Sequence, residues 1–145
     1  MDGVQMVGTG LHGAPDPEAA ELTAADLPQM LDLVARTEPG PFRAGVLQMG
    51  RYLGVRRDGR LVAMAGERIR VPGFTEISAV CTDPAYRGLG LAERLMRAVA
   101  AGIRGRGDTP FLASLASNAT ALRLYARLGF ERRAGVTFAV LRTPA

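Results

Sequence analysis

Between Phe74 and Leu115 the apolar residues change period twice. Phe74 to Thr82 alternates as a strand does, with Ile77, Ala79 and Cys81 on one face and Glu76, Ser78, Val80 and Thr82 on the other. Leu91, Leu95, Val99 and Ile103 then recur along one helical face, with Arg94, Arg97 and Arg104 largely off it. Gly105-Arg-Gly107 ends that helix, and Phe111 to Leu115 is a short strand. A β–α–β unit of this length runs its two strands parallel through a right-handed crossover.

The remaining elements fit around that unit. Tyr52 to Arg56 and Leu61 to Val71 flank Asp58-Gly59, a pair that tolerates the positive φ of a tight hairpin. Leu61-Val-Ala-Met-Ala65 is apolar on both faces, which places it centrally. Pro72-Gly73 turns the chain into Phe74–Thr82 and completes an antiparallel meander. Upstream, Thr23-Ala-Ala-Asp26 fits a helix start, and Leu27, Met30, Leu31 and Val34 follow at helical spacing. Thr37-Glu-Pro-Gly-Pro41 stops that helix, and a short helical piece is expected around Arg43 to Met49. Ala119 to Leu128 reads as another helix, ended by Gly129. Phe130 to Arg133 and Val136 to Leu141 read as a final hairpin about Ala134-Gly135. The expected class is α/β with α+β character. A central mixed sheet carries an antiparallel meander plus a parallel β-α-β step, with helices on both faces.

With 145 residues, 48% of them hydrophobic, the chain holds one domain with a real core. No run approaches the ~20 apolar residues of a membrane helix, and the first residues lack the basic and apolar regions of a secretory signal. Cys81 is the single cysteine, which excludes an internal disulfide; with one histidine it leaves a His/Cys zinc site without ligands. The expectation is a cytoplasmic protein with no metal and no membrane partner. All 18 basic residues are arginines. Residues 1–40 hold seven acids and one Arg, whereas residues 41–145 hold seventeen Arg and seven acids. That asymmetry fits a phosphorylated partner, and a GC-rich genome would also write Arg for Lys. The arginines are scattered and no Trp is present to stack bases, so no nucleic-acid partner is expected.

Arg87-Gly88-Leu89-Gly90-Leu91-Ala92 joins the third meander strand to the long helix. A glycine turn opening a helix offers unpaired N–H groups and the positive end of the helix dipole to an anion. It is not a P-loop, because the chain has no Lys, and it lacks the third glycine of a dinucleotide fingerprint, where Glu93 stands. A tight strand-to-helix connection would use the same glycines. A second cluster occupies the next helix. Asn118 and Tyr125 are seven residues apart, so their directions differ by only about 20° around the helix. Read singly, Asn118 is a cap and Tyr125 a core aromatic with a wet tip.

Together the two clusters resemble the GNAT superfamily of acyl-CoA-dependent N-acyltransferases. Arg87-Gly-Leu-Gly90-Leu-Ala92 is similar to its Arg/Gln-x-x-Gly-x-Gly/Ala signature. Asn118, Leu124-Tyr125 and Leu128-Gly129-Phe130 are similar to its Asn-x-x-Ala-x-x-Leu-Tyr-x-x-x-Gly-Phe signature, about thirty residues on. The resemblance covers roughly Leu22 to Leu141, so residues 1–21 are expected as a lead-in and residues 22–145 as the acyltransferase domain.

The resemblance implies acetyl-CoA as cosubstrate and an amine-bearing small molecule or peptide as acceptor, and leaves a homodimer open. Acyl-CoA would lie where the Phe74–Thr82 and Phe111–Leu115 strands splay. Its pantetheine would meet Val80, Cys81 and Thr82, its pyrophosphate the N–H groups of Arg87, Gly88, Leu89, Gly90, Leu91 and Ala92, and Asn118 the pantetheine arm. Tyr125 would protonate the departing thiolate while the amine attacks directly. Relatives that acetylate protein N-termini carry a Glu five residues before the Asn, where this chain has Ala113. Glu76, on the mixed face of its strand, is the expected general base, with pairing to an arginine as the alternative. Cys81 in an apolar strand is expected as a buried hydrophobe rather than a nucleophile. The acceptor pocket is expected between Thr37–Met49 and the final hairpin, lined by Phe42, Arg43 and Glu76. A catalytically silent acyl-CoA-binding module on the same fold is the alternative function, against which Tyr125 argues.

Overall fold

The computed structural model describes residues 2–37 and 50–137. Seven strands form one sheet: β1 (Asp2–Val7), β2 (Ala20–Glu21), β3 (Tyr52–Arg57), β4 (Arg60–Val71), β5 (Phe74–Thr82), β6 (Thr109–Leu115) and β7 (Glu131–Thr137). Their order is β2-β3-β4-β5-β6-β1-β7. β5 and β6 are the parallel pair, and every other described pairing is antiparallel. Three helices accompany the sheet: α1 (Leu27–Thr37), α2 (Leu91–Gly105) and α3 (Ala119–Leu128). The mixed sheet with helices is the expected architecture.

Two clusters form the core. Leu91, Leu95, Val99 and Ile103 of α2 pack with Val62, Ala65, Ile77 and Leu112. Met30 and Leu33 of α1 pack with Tyr52, Leu61, Met64 and Cys81. β4 serves both, and Leu61 to Ala65 are fully buried, as expected for a central strand. Asp58 and Gly59 turn β3 into β4 at φ 53° and 75°. Thr23 and Asp26 do form a capping box, but the first turn is 3₁₀, and Leu31 points outward because the buried face runs through Met30 and Leu33.

The ends of the chain differ from expectation. Residues 1–21 are more than a lead-in, because they contribute β1 and β2. β1 lies between β6 and β7 and pairs with both, so a boundary at residue 22 does not divide the sheet. Val4 and Met6 alternate into the core. Residues 8–18 are then strapped to α2. Arg104 donates to the Leu11 carbonyl at 3.1 Å, Arg97 to His12 at 3.0 Å, and Arg94 takes Asp16 at 2.6 and 2.9 Å. These arginines, largely off the apolar face of α2, serve the fold rather than a polyanion. At the other end, Ala134-Gly135 is no turn. β7 runs through it against β1, with Arg133 as an extra, unpaired residue of β7 opposite the step from Gln5 to Met6. The helical piece at Arg43–Met49 and the returning strand at residues 138–141 lie outside the described residues.

Candidate active site

The parallel pairing of β5 and β6 stops almost as soon as it starts. Phe74 faces Thr109, Thr75 faces Pro110, and Glu76 faces Phe111. Beyond Glu76, β5 stays on β4 while β6 runs along β1. Among the described residues the outer edge of β5 from Ile77 to Thr82 therefore has no strand beside it. The Asp83 N–H turns to the Val62 carbonyl at 2.7 Å, so strand alternation directs Cys81 towards β4 and the backbone of Val80 and Thr82 towards the open edge.

β5 also carries a bulge. Ala79 has φ 54°, Ser78 lies across from Gly66, and Cys81 lies across from Met64. The inserted residue reverses the side-chain parity. Ile77 and Val80 pack with the α2 cluster, whereas Ala79 and Cys81 pack with the α1 cluster. The single apolar face expected for Ile77, Ala79 and Cys81 is thus split between the two faces of the sheet. Burial pushes the Cys81 thiol up to about 11, which leaves it un-ionised and unreactive at neutral pH.

The glycine turn follows. Asp83 accepts from the Ala85 N–H at 2.8 Å and starts a 3₁₀ turn at Pro84–Tyr86, while Arg36 of α1 holds the same carboxylate. Gly88 and Gly90 sit at φ 80° and 75°, and a Cβ on either would meet nothing within 4 Å. Their backbone angle, not crowding, requires glycine. No described backbone acceptor takes the N–H groups of Gly88, Leu89 or Gly90. Gly90 caps α2, and Arg94 is the first residue to bond back, to the Gly90 carbonyl at 3.0 Å. The N–H groups of the first turn are therefore also free to meet an anion. Arg87 folds back on the Thr82 carbonyl at 3.3 Å.

Asn118 is exposed and caps α3, its Oδ1 accepting from the Ala121 N–H at 3.2 Å. Tyr125 is half-buried on the rim of the α2 cluster, as are Val80, Tyr86 and Leu122. Its ring meets Phe130 edge-on at 6.0 Å. Burial raises its pKa above the ordinary tyrosine value, so the hydroxyl is protonated at neutral pH.

Glu76 occupies the vertex where β5 and β6 part, and it is 4% exposed. Arg68 of β4 forks it, Nε to Oε1 at 2.5 Å and Nη2 to Oε2 at 3.0 Å. The buried Tyr52 phenol feels both charges: burial raises its pKa, Arg68 lowers it and Glu76 raises it. Arg68 is the residue the sequence reading missed: regular pairing from Pro72-Gly73 would set Ile69 across from Glu76, and the register shift between Glu67 and Arg70 is what brings Arg68 to it. Phe42 and Arg43 lie outside the described residues.

Residues 52–139 match the family model described as FR47-like protein. The chain is 34% identical over 122 residues to the N-alpha-acetyltransferase RimI of Mycobacterium tuberculosis, covering 77% of this chain and 76% of that one. The chain belongs to the FR47-like family of GNAT N-acetyltransferases. A GNAT-family acetyltransferase structure from Novosphingobium aromaticivorans matches this acetyltransferase at 48% identity with a TM-score of 0.87, over 92% of this chain. The chain spans 60% of the length of that protein. The ribosomal-protein-S18-alanine N-acetyltransferase of Escherichia coli, 24% identical, shares the fold at a TM-score of 0.70 over 80% of this chain and 78% of its own. The acetyltransferase is an enzyme of acetyl transfer to nitrogen, and nothing among these relatives favours a silent module.

Proposed function

We propose that the acetyltransferase moves an acetyl group from acetyl-CoA to a primary amine by direct attack in a ternary complex. The observation that carries this reading is the parting of β5 from β6 at Glu76, together with a glycine turn whose N–H groups meet no described backbone acceptor. The open edge at Val80 and Thr82, with Cys81 between them, takes the pantetheine. The Arg87, Gly88, Leu89, Gly90, Leu91 and Ala92 backbone holds the pyrophosphate, and the Asn118 amide steadies the arm. The amine nitrogen forms a bond to the acetyl carbon and loses a proton to Glu76, directly or through water. The carbon–sulfur bond breaks, and the sulfur takes the Tyr125 proton. Both side chains then exchange with solvent, so the net products are the amide and free CoA.

Similarity to an N-alpha-acetyltransferase favours an α-amine as acceptor. Ala113 stands where N-terminal acetyltransferases carry a Glu, which shifts the proton-accepting role to Glu76. The test is an amine panel assayed with acetyl-CoA and read by thiol release. Release that depends on amine and yields the N-acetyl product supports the reading. Release that is indifferent to every amine overturns it.

A further inference from the structure

We propose that Arg68 sets the acceptor class of this enzyme: an α-amine carrying a carboxylate near its nitrogen, such as a free amino acid or an acidic peptide N-terminus. The inference rests on the acetyl-transfer reading above. The geometry that carries it is the fork at the vertex. Both Glu76 oxygens are held by Arg68, and the Glu76 side chain is 5% exposed against 34% for Arg68. A molecule arriving from solvent therefore meets the guanidinium before the carboxylate. Arg68 gives its Nε and one terminal nitrogen, Nη2, to Glu76, which leaves Nη1 outside that fork.

The neighbouring charges are engaged elsewhere. Glu67 is taken by Arg106 at 2.7 Å, Asp108 accepts from Thr75 at 2.9 Å, and Arg70 lies 4.0 Å from Asp108. Arg68 and Glu76 thus form a separate pair at the vertex of the splay, with the Tyr52 phenol beside them.

A purely cationic acceptor approaches a like charge there, and the carboxylate edge it needs is occupied. An acceptor with its own carboxylate offers Arg68 an equivalent bidentate partner. Two ion pairs then exchange: Arg68 forks the acceptor carboxylate, and Glu76 turns to the acceptor ammonium. No net charge is buried. Glu76 takes the ammonium proton and passes it to solvent, the nitrogen lone pair attacks the acetyl carbon, the nitrogen gives its second proton to Glu76, and the departing sulfur takes the Tyr125 proton, which solvent then restores. Arg68 is here a specificity and positioning residue, and it keeps Glu76 covered until such an acceptor arrives.

The experiment compares alanine with alaninamide, and the C-terminal amide of alanyl-aspartate with the C-terminal amide of alanyl-asparagine, as acceptors for the parent, Arg68→Gln and Arg68→Lys. Calorimetric affinity for acetyl-CoA is measured on each protein. The parent should prefer the carboxylate-bearing member of at least one pair by about 10- to 100-fold in kcat/KM, since a site built to hold a polar group rejects the analogue lacking it. In Arg68→Gln that preference should fall to near unity with acetyl-CoA affinity unchanged. Arg68→Lys, which keeps the charge and guards against misfolding, should retain the preference at reduced size. Equal use of both members by the parent, or a loss in Arg68→Gln that is the same for every acceptor, overturns the proposal and leaves acetyl transfer standing. Failure of the parent to bind acetyl-CoA overturns both.

Discussion

Tyr125 presents a hydroxyl with no described partner on a ring that the core half-buries. Removing only that oxygen should separate chemistry from packing. Tyr125→Phe keeps the contact with Phe130 and should melt within a few degrees of the parent, while turnover falls by roughly 10²- to 10⁴-fold, the usual yield of a positioned acid. A turnover within twofold of the parent, with chemistry rate-limiting, would reduce Tyr125 to packing. The raised pKa adds a signed expectation. Burial favours the neutral phenol, so its contribution to stability is full below the ordinary tyrosine value near ~10 and is lost as pH climbs through the raised one. Urea midpoints across that window should fall less steeply in Tyr125→Phe. At this scale the sequence exposes Tyr125 and Asn118 through their spacing and Glu76 through strand alternation. Arg68 escapes because its meaning lies across a hairpin, in a partner rather than in a motif.

The turn from β5 to α2 works through backbone angles, and its test belongs to the turn. Gly88→Val and Gly90→Val have open space for the new side chain, so their penalty comes from φ 80° and 75°. A β-branched residue there is strained by ~1–3 kcal/mol or is pushed to another angle, and either outcome re-aims the N–H groups. Gly90→Asn should lose far less, since Asn tolerates the left-handed region. The expected order of acetyl-CoA affinity by calorimetry is parent, then Gly90→Asn, then Gly90→Val. Unchanged affinity in both valine variants would remove the phosphate from this turn. Helical elements were legible because their repeats run long: α2 and α3 lie where the apolar spacing sets them. Strand details were less so. A single inserted residue at Ala79 flips every side chain beyond it, and nothing in the local alternation of Ile77, Ala79 and Cys81 marks the slip.

At the scale of the molecule, the segment that least resembled a structural element turns out to join β7 to the rest of the sheet. β1 is short, and the Gly- and Pro-rich stretch after it masks the alternation of Val4 and Met6. Its importance comes from position: without it, β6 loses its outer partner and β7 has no described strand to pair with. The loop after it ties Gly8 to the Pro110 carbonyl at 2.8 Å and Gly10 to the Gly129 carbonyl at 3.0 Å, so the start of β6 and the end of α3 depend on it as well. Burying Val4 and Met6 contributes ~1.5–3 kcal/mol each, about 3–6 kcal/mol together. That is a large share of the ~5–15 kcal/mol that holds a domain folded, before either ladder is counted. A chain beginning at Leu22 should therefore lose its cooperative melting transition, and with it acetyl-CoA binding, because α3 and its Tyr125 follow β6. Circular dichroism melts of the full and shortened chains decide the matter. A shortened chain that melts cooperatively within a few degrees of the full one would show that β6 and α3 hold their places without β1, and that the acyltransferase domain does begin at residue 22.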